Sequence, residues 1–101
     1  MSADGVTITF ELRLKPQAVA GFLAAIPNML QETKTFDGFR TIRVVQHKDD
    51  PTRVLMVELW DSEEAYRKYI DWRTARGDMD GLAQLTTSTN INVWPRVVVE
   101  I

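Results

Sequence analysis

Residues 57–79, VELWDSEEAYRKYIDWRTARGDM, begin as a strand and continue as a helix. Asp61 is a residue type that favours the N-cap of a helix, and Glu64 stands three residues later, where a capping box has its acidic residue. Gly77 is typical of the residue that follows a helix C-terminus. We therefore predict a strand over residues 53–60 that passes directly into a helix beginning at Asp61 and ending at Gly77.

The segments before this stretch predict two further strands and one helix. Residues 6–14, VTITFELRL, alternate strictly between apolar and polar side chains, which indicates a strand with one buried face. Apolar residues recur at helical spacing over residues 16–35, and Pro27 is expected to kink this helix. Residues 39–47 predict a strand that the turn KDDPT joins to 53–60 as an antiparallel hairpin.

The last part of the chain predicts a weak helical turn, MDGLAQL, and a strand at about 89–101 that Pro95 breaks. The order of elements is therefore β-α-β-β-α-β. With right-handed crossovers, this order gives a four-stranded antiparallel sheet with both helices on one face. We predict an α+β protein with the ferredoxin-like sandwich, as one domain over residues 1–101, because a chain of this length supports one core and not two.

The composition excludes several functional classes. Lys and Arg number 12 against 14 Asp and Glu, without a basic run, so the chain has no electrostatic footprint for nucleic acid. The absence of cysteine excludes disulfides, thiolate metal sites and cysteine nucleophiles, and no metal site is predicted. The segment MSADGVTITF lacks the features of a signal peptide, and no apolar run approaches the ~20 residues that span a bilayer. We expect a cytoplasmic protein with neither a membrane nor a nucleic-acid partner.

The strand over residues 53–60 is apolar on both faces. Its side chains divide into Leu55, Val57 and Leu59 on one face and Val54, Met56 and Trp60 on the other. In a ferredoxin-like sandwich the helices cover only one face, whereas an antiparallel sheet with one face in water normally alternates. We therefore predict a homodimer that packs sheet against sheet as a dimeric α+β barrel. The alternative is that the C-terminal tail, RVVVEI, covers this face.

The block DDPTRVLMVELWDSEEAYRKYIDW, the order of the elements and the chain length resemble the antibiotic biosynthesis monooxygenase family, whose members are small dimeric α+β barrel proteins. The resemblance covers nearly the whole chain and is most specific where Trp60 ends a strand and DSEEAY opens the helix. It implies either cofactor-independent oxidation of aromatic polyketides or quinols by dioxygen or, in one branch, oxidative breakdown of haem. For both activities it implies a pocket between the helices and the sheet of each subunit.

The resemblance also implies positions for site residues. Better-studied members use an Asn on the first strand and a Trp on the second helix, and the haem branch adds a His after that Trp. The aligned positions here hold Phe10, Tyr69 and Met79. Haem needs an axial ligand, and the sole imidazole, His47, lies at the end of the second strand, so haem degradation is not expected. Cofactor-free oxygenation stays open, because an electron-rich, deprotonated substrate can itself pass an electron to dioxygen in a dry pocket.

The second helix carries an aromatic stripe that contains arginines. At about 100° per residue, one arc on the packed side holds Tyr66, Tyr69, Trp72, Arg73 and Arg76. We predict Arg73 and Tyr69 as catalytic residues, with an arginine stabilising a phenolate or enolate, and Tyr66, Trp72 and Arg76 as substrate-binding residues. The alternative is structural: both arginines favour the helix dipole, pair with carboxylates and cover apolar surface with their stems.

Four further candidates lie on the strands. His47 has the pKa range of a general base for a phenol and is predicted to be catalytic, although a His beside a turn is usually a solvated strand end. Phe10 and Trp60 are predicted to line the pocket, although a Trp at the end of a core strand is often packing alone. Asn92 is predicted to donate to a developing oxyanion, or else marks an edge or a bulge.

Three functions are compatible with these residues. The first is a cofactor-independent monooxygenase that oxidises a small aromatic or quinol substrate with dioxygen. The second is a polyketide cyclase-like enzyme, which absence of oxygen uptake would distinguish from the first. The third is a non-catalytic dimeric protein that binds or senses a ligand. The fold alone does not choose among them, because one fold hosts many functions.

Overall fold

A sheet and a layer of helices make up the part of the chain, residues 4–101, that the computed structural model describes. In chain order the elements are β1 (Val6–Leu14), α1 (Val19–Thr33), β2 (Phe39–Gln46), β3 (Arg53–Trp60), α2 (Glu63–Ala75), α3 (Asp78–Leu85) and β4 (Thr86–Trp94), with a 3-10 turn at Pro16–Ala18 before α1. The order that the sequence predicts is confirmed, with α3 as a full helix where the sequence indicates a single turn. None of the helices described is long and apolar enough to cross a bilayer.

The four strands form one sheet in the order β2-β3-β1-β4, and every neighbouring pair is antiparallel. This order confirms the predicted ferredoxin-like sandwich. The edges of the sheet are β2 and β4, so the sheet of one chain is open and does not close into a barrel by itself.

The helices cover one face of the sheet. Alternation along β1 places Ile8, Phe10 and Leu12 on that face, where each is buried. The helices add Phe22 and Ile26 from α1 and Tyr66 and Tyr69 from α2. These side chains form two core clusters, and the candidate site is lined by residues from both.

The start of α2 differs from the prediction. Ser62, not Asp61, is the N-cap: its hydroxyl oxygen accepts a 3.1 Å hydrogen bond from the backbone N–H of Ala65. Asp61 instead accepts a 2.6 Å hydrogen bond from Nε of Arg40 at the start of β2. Glu64 is therefore one residue too early to complete a capping box. The sequence DS offers two adjacent N-cap residues, and the ion pair with β2 decides between them.

The last strand is displaced from the predicted range of 89–101. It begins at Thr86, directly after α3, and ends at Trp94. Pro95 has no N–H to give to the ladder, and residues 95–101 form no regular element. Val98, Val99 and Ile101 are exposed, so within one chain the tail does not bury its apolar side chains on the sheet.

The face of the sheet away from the helices is partly apolar. Leu55, Val57 and Leu59 lie along its middle and are half-buried. Toward the two edges of the same face lie Val45, 40% exposed, and Trp94, 56% exposed. None of the helices within residues 4–101 covers this stripe.

Candidate active site

A cavity of about 60 Å³ lies between the sheet and the helices. Its walls are mainly apolar and include Phe10 of β1, Ile42 of β2 and Met56 of β3. Its polar lining consists of Glu58, Tyr66, Tyr69, Arg73 and Asp78. An apolar wall with a few convergent polar groups is typical of a site for a small molecule.

Glu58 is a carboxylate buried on the helix side of β3. Because side chains alternate along a strand, Glu58 shares this face with Met56 and Trp60, and it is only 3% exposed. Its Oε1 accepts a 3.0 Å hydrogen bond from the indole Nε1 of Trp60. Burial raises the pKa of Glu58 to about 7, although the hydrogen bond from Trp60 acts in the opposite direction. Glu58 can therefore exchange a proton near neutral pH.

Tyr66 of α2 brings a hydroxyl to the same cavity. Within the described part of the chain, this buried hydroxyl has no hydrogen-bond partner. Burial, followed by the charges of Glu58 and Tyr69, raises the pKa of Tyr66 above its usual value, so the phenol keeps its proton. A buried polar group without a partner costs about 1–3 kcal/mol. A ligand oxygen or a water that accepts this hydrogen bond would remove that cost.

Trp60 lies fully buried behind these polar groups. Its ring centroid is 5.0 Å from that of Tyr69 and 5.6 Å from that of Tyr66, and Phe39 packs edge-on against it at 5.4 Å. Such aromatic contacts hold the rings in fixed orientations. Trp60 therefore acts on the cavity through Glu58, Tyr66 and Tyr69, which line it.

Arg73 is a buried cation that joins the three helices. Its guanidinium faces the Tyr69 hydroxyl (3.0 Å), Asp78 (2.9 Å), Glu32 (3.4 Å), the Met29 carbonyl (3.0 Å) and the Thr33 hydroxyl (3.1 Å). A guanidinium has five N–H groups, so each of them is directed at an acceptor of the protein itself. The guanidinium stands among aromatic rings because it ties α2 to α1 and α3 and fixes the Tyr69 hydroxyl.

Arg76 and Trp72 lie beside this network near the C-terminus of α2, where Trp72 is half-buried against Phe36. Arg76 pairs with Glu32 at 2.7 Å, and its guanidinium carbon is 4.5 Å from the ring centroid of Trp72. The side chain of Arg76 is 41% exposed. Neither of these two predicted binding residues lines the cavity.

His47 and Asn92 lie away from the cavity. His47 is exposed after β2, and its Nδ1 accepts hydrogen bonds from the backbone N–H groups of Asp49 (3.0 Å) and Asp50 (3.2 Å). Asn92 is paired with Thr9 in the register of the sheet, which places it on the face opposite the helices. Neither residue can contact a ligand in the cavity. The sheet separates Asn92 from the site, and the imidazole of His47 is hydrogen-bonded within its own turn.

The structure thus brings together four of the predicted residues at one cavity: Phe10, Tyr66, Tyr69 and Arg73. Sequence reasoning missed Glu58 as a site residue. The signal was present, since Glu58 stands between Met56 and Trp60 in VLMVELW and alternation alone places its carboxylate on the buried face. In residues 4–101, no group of three or more His, Cys, Asp or Glu is arranged to hold a metal ion.

The fold recurs in solved structures of low sequence identity. A conserved protein from Methanosarcina mazei Go1 superimposes with a TM-score of 0.80 at 20% identity, over 91% of this chain and 92% of that one. SnoaB, a cofactor-independent oxygenase from Streptomyces nogalater, superimposes with a TM-score of 0.81 at 15% identity, over 96% of this chain and 97% of that one. At these identities the likeness establishes the fold alone.

A comparison of sequences identifies the family. No curated protein matches the chain significantly. The family model described as antibiotic biosynthesis monooxygenase matches residues 5–73, which run from the start of β1 to Arg73 in α2 and make up more than half of the chain. The chain therefore belongs to the antibiotic biosynthesis monooxygenase family.

Proposed function

We propose that this protein is a cofactor-independent monooxygenase that oxidises a small aromatic or quinol substrate with dioxygen. The observation that carries the proposal is the mainly apolar cavity lined by Tyr66, whose buried hydroxyl has no hydrogen-bond partner within residues 4–101, because an oxygen on the edge of a flat aromatic ligand would accept that bond. Membership of the family, and the likeness in fold to the cofactor-independent oxygenase SnoaB, support this reaction class. Tyr69 and Phe10 would contact the aromatic rings of the substrate.

The substrate must enlarge the cavity when it binds. A volume of about 60 Å³ holds only a few waters at roughly 15 Å³ each. The lining includes Met29, Met56 and Met79, whose unbranched side chains change shape at low cost. Met29 of α1 is 37% exposed and lines the cavity together with Met79 and Leu82 of α3, so we infer that a substrate enters between these two helices.

We expect oxygen consumption when the purified, metal-free protein is mixed with a suitable anthrone, quinol or catechol. Uptake should need neither added flavin nor added haem, and it should be absent from boiled protein. An oxygen electrode measures the rate across a panel of these substrates. Tight binding of a substrate without uptake of oxygen would contradict the proposal and would favour the cyclase or the ligand-binding protein.

We also propose that the protein acts as a homodimer through the helix-free face of the sheet. The support is the stripe of Leu55, Val57 and Leu59, which none of the described helices covers. An interface there buries apolar area that a monomer leaves in water. Polar side chains flank the stripe, among them the Arg53–Glu11 ion pair at 3.0 Å.

Leu59→Asp is expected to convert the dimer into a monomer. The change places a carboxylate on the stripe between the uncharged Thr7 and Thr41 in the sheet register, and burying an unpaired charge against a second copy costs several kcal/mol. Sedimentation at micromolar concentration should show the mass of one chain instead of two. The matched control is Ala24→Asp, on the exposed side of α1, which should stay dimeric. A monomeric parent protein under these conditions would overturn the proposed dimer.

A further inference from the structure

We propose that Glu58 is the general base of the cavity: its carboxylate takes the proton that activates a neutral hydroxylated aromatic substrate, while the Tyr66 hydroxyl donates a hydrogen bond to the substrate oxygen. This inference rests on the proposed function and names its proton acceptor and the charge state of its substrate. It replaces His47 in that role, because His47 is exposed outside the cavity.

The first support is the isolation of the Glu58 carboxylate. In the part of the chain that the structure describes, no Lys or Arg forms an ion pair with Glu58, and its one hydrogen-bond donor is Trp60. Its neighbours in the sheet register are the apolar Ile8 and Ile42. A buried carboxylate with one donor and no cation is poorly stabilised as an anion and is therefore a stronger base than an exposed one.

The second support is the set of groups that share the cavity with Glu58. From α2, Tyr66 and Tyr69 line the cavity, and the Tyr66 hydroxyl has no hydrogen-bond partner among the described residues. Arg73 and Asp78 also line the cavity, but they bond to each other at 2.9 Å. The lining from α1 is apolar. A substrate in this space thus meets one free donor, the Tyr66 hydroxyl, and one free acceptor, the Glu58 carboxylate.

These charges select the substrate. A substrate that enters as an anion would be repelled by the negative charge of ionised Glu58. Arg73, the one cation among the described residues that line the cavity, is already bonded to Asp78 and does not offset this repulsion. A neutral phenol, quinol or anthrone avoids this repulsion and is ionised only after it is bound. The expected substrate class is therefore a neutral hydroxylated aromatic compound without a carboxylate or sulfonate.

The proton balance can be followed with an anthrone, whose reactive CH₂ lies between two rings. Glu58 takes one proton, and the resulting anion gives one electron to dioxygen. The carbon radical and superoxide combine to form the C–O bond, and protonated Glu58 returns its proton to the peroxide. Glu58 then removes the second C–H proton, the C–H electron pair becomes the C=O bond, and the O–O bond breaks. The departing hydroxide takes this proton, so CH₂ and O₂ become C=O and water without a cofactor.

The test compares the parent protein with Glu58→Gln, which keeps an acceptor for the Trp60 indole but cannot act as a base. With the hydroxylated anthrone dithranol as probe, oxygen uptake should fall at least ~100-fold, the scale of a lost general base. Dithranol affinity should change less than about threefold. The matched control is Glu64→Gln, an exposed residue of α2, which should leave the rate unchanged. The rate of the parent protein should rise with pH through about 7, and this limb should vanish in Glu58→Gln.

A second, anaerobic measurement separates this inference from the proposed function. The absorption spectrum of bound dithranol reports its ionisation without any reaction with oxygen. Ionisation in the parent protein but not in Glu58→Gln supports the base role even if oxygen uptake is absent, in which case only the monooxygenase proposal fails. Equal ionisation in both proteins, or equal oxygen uptake in both, would overturn the assignment of Glu58.

Discussion

Glu58→Gln is expected to stabilise the folded protein by about 3 kcal/mol near pH 8 and to leave its stability nearly unchanged near pH 4. The cause is the cost of keeping an ionised carboxylate buried on the helix side of β3. Glutamine has the same shape and keeps an acceptor for the Trp60 indole, but it carries no charge. Urea denaturation of both proteins at a series of pH values measures the difference.

The sign follows from proton binding. The folded protein holds the Glu58 proton up to a pKa of about 7, whereas the ordinary value for the exposed group in the unfolded chain is 4.5. Between these two values the folded state binds more protons than the unfolded state, so the free energy of unfolding falls as pH rises. The contribution of the Glu58 proton to the free energy of unfolding is fully present below about pH 4.5 and is lost once the pH has passed 7. At about 1.4 kcal/mol per pH unit, the interval between the two pKa values gives the expected difference.

A matched substitution isolates this effect from global changes in charge. Glu64→Gln removes the same charge from an exposed position on α2, so its stability relative to the parent protein should not depend on pH in this way. If the free energy of unfolding depends on pH in the same way in Glu58→Gln and Glu64→Gln, the pKa of Glu58 is not raised by burial. The inference that Glu58 is a general base then loses its physical basis.

Most of the fold could be predicted from local patterns. Strict alternation in VTITFELRL defines both faces of β1, and each predicted apolar position from Val6 to Leu14 is buried. Boundaries were less predictable, because they depend on contacts distant in sequence. Asp61 and Ser62 are both good N-cap residues, and the ion pair of Asp61 with Arg40 across the sheet leaves the cap to Ser62.

The candidate site could be predicted only in part. Helical spacing correctly turns Tyr66, Tyr69 and Arg73 toward the interior, but spacing alone cannot show which acceptors surround a guanidinium. Four of the five acceptors come from α1 and α3; the Met29 carbonyl is 44 residues before Arg73 and Asp78 is five residues after it. Alternation along β3 does predict that Glu58 faces the interior. It was missed as a site residue because a charged residue in a strand is normally assigned to the solvent face.

Arg73→Met is expected to destabilise the protein by about 3 kcal/mol. Methionine keeps the apolar stem but leaves the acceptors on Met29, Thr33, Asp78 and Glu32 without their shared donor. Removing one partner of a buried ion pair typically costs about 3–5 kcal/mol. The lower end applies here, because the side chains of Asp78 and Glu32 are 26% and 46% exposed, can regain water, and still face the Arg76 guanidinium at 3.7 Å and 2.7 Å. Thermal and urea denaturation should both show the loss.

The same substitution at Arg67 provides the control, because Arg67 lies on α2 only six positions earlier. Its side chain is 73% exposed and pairs with Glu63 at 2.6 Å, an i,i+4 contact worth about 0.3–0.5 kcal/mol. Arg73→Lys should also destabilise, since an ammonium with three donors cannot serve five acceptors on three helices. If Arg73→Met is as stable as Arg67→Met but loses oxygen uptake, the guanidinium acts on the substrate, as the sequence alone predicts. A large loss of stability, with turnover retained below the unfolding temperature, identifies Arg73 as a structural residue that joins α2 to α1 and α3.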